Sequence, residues 1–175
     1  MKESEESMID DGVRHSLEEY LQLNYSETQE HIQEYQVDPQ LVKSGRDGLS
    51  DWESRTLEQL VRDAGESFHE RLFSKIRDSG MSDVEVYKRA NMDRKLFSKI
   101  RSNPAYHPRK QTVLALAIAL RLTIDETVDL LARAEYALSP GNKRDLIVKY
   151  FIEQGIYDIM AVNYALDEYE QPLLE

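Results

Sequence analysis

Residues 82–103 read SDVEVYKRANMDRKLFSKIRSN, and this stretch decides the fold that the sequence predicts. Ser82 is placed to cap a short helix over residues 83–90, and a second helix over 93–102 follows after a tight turn. Asn91 stands in that turn, and asparagine is the residue after glycine that best tolerates a positive φ. The spacing therefore predicts two short helices that cross at about 90–120°.

Four apolar side chains in this stretch, Val86, Met92, Phe97 and Ile100, have the spacing that buries one face of each helix. The opposite face of the second helix is polar and basic. In such an arrangement the first helix can contact the DNA backbone while the second enters the major groove. The pattern is typical of a helix-turn-helix.

Helical patterns continue on both sides of this motif. An apolar face predicts a helix over residues 68–79 that Gly80 ends. Residues 111–122 form a strongly apolar helix, and the stretch 123–126 is a capping-box candidate before a helix over 126–136. We find no strand-type alternation, so the sequence predicts an all-α protein.

One hexapeptide occurs twice. Leu72–Arg77 recurs letter for letter at Leu96–Arg101. The flanking residues do not match, so we interpret the repetition as two helices that meet the same amphipathic requirement, rather than as a structural repeat.

From Phe68 to Leu138 the sequence resembles the Xre/Cro/lambda-repressor family, including the apolar run 112–120 and the following Leu122–Glu126. This resemblance implies a five-helix DNA-binding domain. Tyr87 stands where the family has a small residue, Arg101 where an acidic residue is common, and Ser102-Asn103 where it has a basic residue and glycine. The run 83–174 also resembles a module attached to bacterial macrodomain proteins, which implies a portable binding module.

Charge is distributed unevenly along the chain, whose net charge is −11. Residues 1–66 hold six Lys and Arg against 17 Asp and Glu, a net of −11. Residues 67–139 carry +4 and residues 140–175 carry −4. One basic segment thus lies between two acidic flanks, and phosphate binding requires such a basic surface.

The charge and helix patterns divide the chain into three parts. Residues 1–66 are predicted as an acidic helical region with its first 11 or so residues disordered, and with helices over 16–35 and 52–64 separated by a linker. The linker spans 37–48, and a capping box at 50–53 opens the second of these helices. Residues 67–139 form the helix-turn-helix domain. Residues 140–175 form a C-terminal helical pair, whose first helix begins at Ser139-Pro140 and whose second covers 158–169.

The candidate DNA-binding residues lie on the second helix of the motif and in the segment after it. On the helix they occupy the face opposite Phe97 and Ile100, where Arg and Lys can pair with guanine edges and Ser with a base or phosphate. Residues after the helix are placed to hold phosphates near the start of the next helix. The full set is Arg94, Lys95, Ser98, Lys99, Arg101, Ser102, Tyr106, Arg109 and Lys110.

Several other classes of protein find no support in the sequence. There is no cysteine, the four histidines are scattered, and no glycine loop for phosphates or serine with a plausible base is present. We therefore predict no enzyme, no catalytic residue, no metal site and no cofactor. No apolar run approaches the roughly 18 residues of a membrane span, and the N-terminus lacks signal-peptide features, so a cytoplasmic protein without membrane contact is predicted.

These observations predict a transcriptional regulator that binds double-stranded DNA, as a homodimer through its flanking helices. The tyrosine-bearing C-terminal helices are the first candidates for the dimer contact. The alternative is a protein-interaction or antitoxin-like adaptor that keeps the fold without reading DNA. In that case the acidic N-terminal region is a site for a protein partner. An intermediate possibility is autoinhibition, in which the acidic N-terminal region covers Arg94, Lys95 and Lys99 until a signal removes it.

Overall fold

The structure is a computed structural model and describes residues 9–25 and 65–174. Within these ranges the chain forms eight α-helices and no strand, which confirms the all-α prediction. Residues 9–25 and 67–174 lie in one compact unit. The helices are α1 (Asp11–Asn24), α2 (Phe68–Ser79), α3 (Asp83–Arg89), α4 (Arg94–Ser102), α5 (Lys110–Ala119), α6 (Ile124–Arg133), α7 (Lys143–Glu153) and α8 (Ile159–Glu168).

Helix α5 is the centre of the core. Every residue from Thr112 to Ala119 is buried, and Leu120 and Leu122 continue the buried surface. A helix that is apolar all round must be covered on all sides, and α5 packs against α3, α6 and α8. No helix in the described ranges is both long and apolar enough to cross a membrane.

Local capping sets where three of the helices begin. Ser67, Ser82 and Thr123 each accept a hydrogen bond from the backbone of the glutamate three residues later, whose carboxylate bonds back to the cap residue. Each of these reciprocal boxes satisfies two of the N–H groups that a helix start leaves unpaired. The caps expected at Ser82 and Thr123 are confirmed, and Ser67 adds a third.

Left-handed residues set where helices end. Asn91 has a φ of 50°, as the sequence predicts, and the N–H of Met92 donates to the carbonyl of Tyr87 at 2.9 Å. Gly80 and Gly155 have φ values of 67° and 69° after α2 and α7. Only three residues, 91–93, separate the C-cap of α3 from the first residue of α4, so these two helices are held close together by the turn.

The N-terminal helix differs from the sequence prediction. Ile9 is buried and α1 begins at Asp11, so residues 9–11 are ordered and the helix starts five residues before the expected Ser16. Helix α1 buries Leu17 and Leu21 and packs against α7. Burial of this apolar face groups residues 9–25 with residues 67–174, whereas the sequence placed them in a separate N-terminal region.

Other predictions for the N-terminal region lie outside the described residues. These are positions 26–35 of the first predicted helix, the linker at 37–48, and the capping box at 50–53 with its helix to residue 64. Within the described residues α1 ends at Asn24 and Tyr25 is extended, so the helix predicted over 16–35 does not continue through Tyr25.

The start of α7 also corrects the sequence prediction. The N-cap is Asn142, whose side chain accepts a hydrogen bond from the N–H of Asp145 at 3.1 Å. Ser139 is not the cap, because the helix begins only at Lys143; the N–H of Ser139 donates to the carboxylate of Asp145 at 2.8 Å. Residues 139–142 therefore form a turn, and Pro140 precedes the helix rather than opening it.

Candidate nucleic-acid interface

Helix α4 turns one face inward and the other outward. Phe97 and Ile100 are buried, and the Phe97 ring lies 6.3 Å from that of Phe73 and 6.0 Å from that of Tyr87, centroid to centroid. Tyr87 thus fills the space between α3 and α4 with an aromatic contact. The residues that the sequence assigned to the outer face are all exposed: Arg94, Lys95, Ser98, Lys99 and Ser102.

Both ends of α4 are fixed. At the N-terminus, the carboxylate of Asp93 accepts the backbone N–H of Lys95 at 2.6 Å. At the C-terminus, Nε2 of His69 lies 3.0 Å from the carbonyl oxygen of Arg101, and the His69 ring stacks against Phe73 at 4.6 Å between centroids. The orientation of the exposed face is therefore set by contacts at each end of a short helix.

Arg101 makes contacts within the protein. Its guanidinium donates to Oδ1 of Asp83 at 2.7 Å and lies 5.0 Å from the Phe73 ring centroid. Asp83 is the first residue of α3 and Arg101 is the last but one of α4, so this ion pair joins the start of one helix to the end of the next.

The segment after α4 is shaped by its own side chains. Oδ1 of Asn103 accepts the N–H of Ala105 at 3.1 Å, and the N–H of Tyr106 donates to the Asn103 carbonyl at 2.9 Å. Pro108 is buried, and its carbonyl accepts the hydroxyl of Tyr136 at 3.1 Å. This geometry brings the half-buried Tyr106 under Lys99, whose Nζ lies 4.4 Å from the ring centroid.

The start of α5 separates two neighbouring basic residues. Arg109 is the exposed N-cap residue, and no side chain caps this helix, so the helix start keeps the partial positive charge of its unpaired N–H groups. Lys110 instead forms an ion pair with Asp145 of α7, whose side chain is buried. Lys110 is thereby held in the core and does not join the exposed basic group.

Residues 93–110 carry a net positive charge, and acidic residues are present beside them on α3. Residues 93–110 contain six Lys and Arg and one Asp. The first turn of α3 adds Asp83 and Glu85 on the neighbouring helix. Hydrogen bonds from the backbone and side chain of Ser82 lower the pKa of Glu85, so this carboxylate is charged at neutral pH.

Of the nine predicted residues, Lys99 and Tyr106 contact each other, whereas Arg101 and Lys110 form ion pairs within the protein. Arg101 and Lys110 enter ion pairs that the sequence reasoning missed, because their partners Asp83 and Asp145 are 18 and 35 residues away in the chain. The turn at Asn103 could be predicted from the local sequence, because asparagine before proline favours such turns.

No family model, curated protein or solved structure matches this chain. The interpretation of the surface therefore depends on its own geometry and chemistry.

Proposed function

We propose that the chain is a non-enzymatic DNA-binding transcriptional regulator of the lambda-repressor-like type, in which α3 lies on the backbone and α4 enters the major groove. The observation that carries the proposal is the exposed basic face of α4, held on the buried anchors Phe97 and Ile100. The five helices α2–α6 support it, since they follow the order expected for that domain.

The proposed roles follow from position. Arg94 and Lys95 lie in the first turn of α4, and none of the described residues hydrogen-bonds to or pairs with their side chains, so both are available for guanine edges. Ser98 follows on the same face. Lys99, over the Tyr106 ring, and Arg109, at the uncapped start of α5, are the candidates for phosphate contacts.

The predicted homodimer remains a prediction. Helix α8 exposes Met160 and Tyr164, four residues apart on one face, with exposed fractions of 47% and 36%. Exposed apolar side chains on a flanking helix fit a contact that would set the spacing of two DNA half-sites. Sedimentation velocity of the wild type and of a Met160→Lys/Tyr164→Lys variant tests this assignment.

The alternative is a protein-interaction module, and one observation favours it. Asp83 neutralises Arg101, and Glu85 adds a further carboxylate to the turn that would approach the DNA backbone. A protein partner that carries basic residues would instead be attracted to this end of α3.

The deciding experiment selects bound fragments from pooled genomic DNA at low salt with the full chain. It is repeated with Arg94→Ala/Lys99→Ala and with Lys143→Ala/Lys149→Ala as a charge-matched control. The control residues lie on α7, which packs against α1, α6 and α8 rather than α4. A recurrent site that the wild type and the control retain and the α4 variant loses supports the regulator. If the low-salt selection enriches no site, the result favours the protein-interaction module over the regulator.

A cover over α4 by the acidic N-terminal region needs a different variant. Removing residues 1–66 would also remove Leu17 and Leu21 from their packing on α7. Replacing residues 27–64 with a Gly/Ser linker keeps α1 in place. An increase in DNA affinity over the full chain supports the cover, and an unchanged affinity excludes it.

A further inference from the structure

A cavity of about 510 Å³ lies between α2, the start of α3 and the end of α4. Phe73 and Ile76 from α2 and Met81 from the segment before α3 supply its apolar wall. Two exposed basic residues, Arg77 and Arg101, belong to the same wall, so solvent reaches the cavity. Ligand pockets of about 300–1,000 Å³ commonly combine apolar walls with a few placed polar groups. The size and the lining are those of a site for a small molecule.

The guanidinium of Arg101 is held against two parts of this wall. It lies 5.0 Å from the ring centroid of Phe73, and its Nη1 donates to Oδ1 of Asp83 at 2.7 Å. Phe73 and Asp83 both line the cavity. A guanidinium carries several N–H donors, and among the residues that the structure describes Asp83 alone accepts from this one. The side chain of Arg101 is 54% exposed, so the donors that Asp83 leaves unused are available to a ligand.

The charges of the wall select the kind of ligand. Asp83 is already paired with Arg101. No described residue hydrogen-bonds to or pairs with the side chain of Arg77. With histidine counted as neutral, the wall holds two cations and one carboxylate, an excess of one positive charge. A ligand with one negative charge balances this excess, and a carboxylate forms charge-assisted hydrogen bonds with a guanidinium.

We propose that this cavity binds a small monocarboxylate with an apolar body. The carboxylate pairs with Arg101, the body lies against Phe73, Ile76 and Met81, and the charge of Arg77 adds to the attraction. Arg101 is the last residue but one of α4, so an occupant contacts the end of that helix. The site is distinct from the outward face of α4, and binding of the carboxylate does not require DNA.

The test compares three probes on the full chain. Benzoate has both the ring and the charge, benzamide has the ring without the charge, and acetate has the carboxylate without the ring. Each is titrated at pH 7 into ¹⁵N-labelled protein, and amide shifts are followed by NMR. We expect saturable shifts at Ile76, Met81 and Ser82 with benzoate, and at least about fivefold weaker binding of benzamide and of acetate.

Two substitutions in the wall should change the affinity for benzoate in opposite directions. Asp83→Asn removes the carboxylate that competes for Arg101 and should strengthen binding about three- to tenfold, a gain that unfolding cannot produce. Arg101→Gln removes the pairing group and should weaken binding at least about fivefold. Lys88→Gln is the control, because it removes a positive charge at an exposed position of α3 outside the wall, and it should keep the affinity within about twofold.

Four results would overturn the proposal. These are equal affinity for benzoate and either of the other probes, weaker benzoate binding with Asp83→Asn, shifts centred on another region, and no saturable shift up to the solubility limit. The titrations contain no DNA, so their outcome is independent of the proposed regulator function.

Discussion

The Nζ atom of Lys99 lies 4.4 Å from the ring centroid of Tyr106, and this contact joins the exposed face of α4 to the segment that follows it. An aromatic face attracts a cation and limits the positions that a long side chain samples. The ring therefore holds an ammonium group where the proposed DNA backbone would lie. In the proposed interface the Tyr106 ring would act through Lys99.

Replacing the ring should weaken DNA binding more than removing the hydroxyl. We expect Tyr106→Leu to lower affinity for a selected site about fivefold, and Tyr106→Phe to stay within about twofold, because phenylalanine keeps the aromatic face. Fluorescence anisotropy across a salt series measures both. Lys99→Ala should reduce the slope of log affinity against log salt by about 0.9, the value for one phosphate contact. A larger loss with Tyr106→Phe than with Tyr106→Leu contradicts this arrangement.

Freeing Arg101 should increase DNA affinity. Asp83→Asn removes the partner that lies 2.7 Å from the guanidinium and also removes a negative charge from the start of α3. We expect a gain of about three- to tenfold in anisotropy titrations, since one more cation becomes available to phosphate. The control is Asp78→Asn, the same charge change at an exposed position near the end of α2, for which less than about a twofold gain is expected.

Should Asp83→Asn lower affinity instead, the ion pair itself would be part of the binding surface. The expected change in stability is small in either case, at most about 1 kcal/mol, because both side chains are substantially exposed.

Lys110 should contribute to stability rather than to DNA binding. Lys110→Met leaves the carboxylate of Asp145 buried with Ser139 N–H as its remaining donor, and breaking a buried pair in this way costs about 3–5 kcal/mol. Lys149→Met, which removes a more exposed pair with Glu153, should cost about 0.5 kcal/mol or less. Urea unfolding of the two variants gives both values. A loss below about 1 kcal/mol for Lys110→Met would show that the pair adds little to stability.

Acid should weaken the contact between α2 and α6. Lys75 donates to Glu126 at 2.6 Å and thereby lowers the pKa of that carboxyl below 4.5. Arg133 and Arg71 likewise lower the pKa of Asp129 below 3.8. Because both folded-state pKa values lie below the unfolded values, the stabilisation is complete above pH 4.5 and is lost as the pH falls through the folded-state values.

Thermal unfolding between pH 7 and pH 2 tests the predicted loss of stability in acid. The free energy of unfolding should start to fall near pH 4.5, and Lys75→Met should reduce that fall, since it removes the main cause of the shift at Glu126. Lys88→Met, at an exposed position on α3, is the control and should keep the wild-type profile. Equal pH dependence in all three proteins would contradict the role of Lys75.

The sequence predicted best what is decided within a few residues. Local hydrogen bonds and backbone sterics decide the caps at Ser82 and Thr123 and the left-handed turn at Asn91. The residue types at these positions were therefore enough to predict them. The buried anchors Phe97 and Ile100 followed from helical spacing. The outward face of α4 followed from the same spacing.

What the sequence missed is decided by residues far apart. The ion pair between Asp145 and Lys110 joins residues that are 35 positions apart in the chain. The packing of α1 on α7 is likewise a contact across more than 100 residues, as the hydrogen bond from Tyr150 to the Val13 carbonyl illustrates. No pattern within either segment specifies such a partner.

The twice-used hexapeptide offers a controlled comparison inside one chain. In α2 its lysine, Lys75, is half-buried and pairs with Glu126, whereas in α4 the corresponding Lys99 is exposed over Tyr106. The same hexapeptide thus contains a lysine that joins two helices, Lys75, and a lysine that is open to solvent, Lys99. The same Lys→Ala substitution at both positions therefore compares a loss of folding with a loss of binding inside one shared hexapeptide.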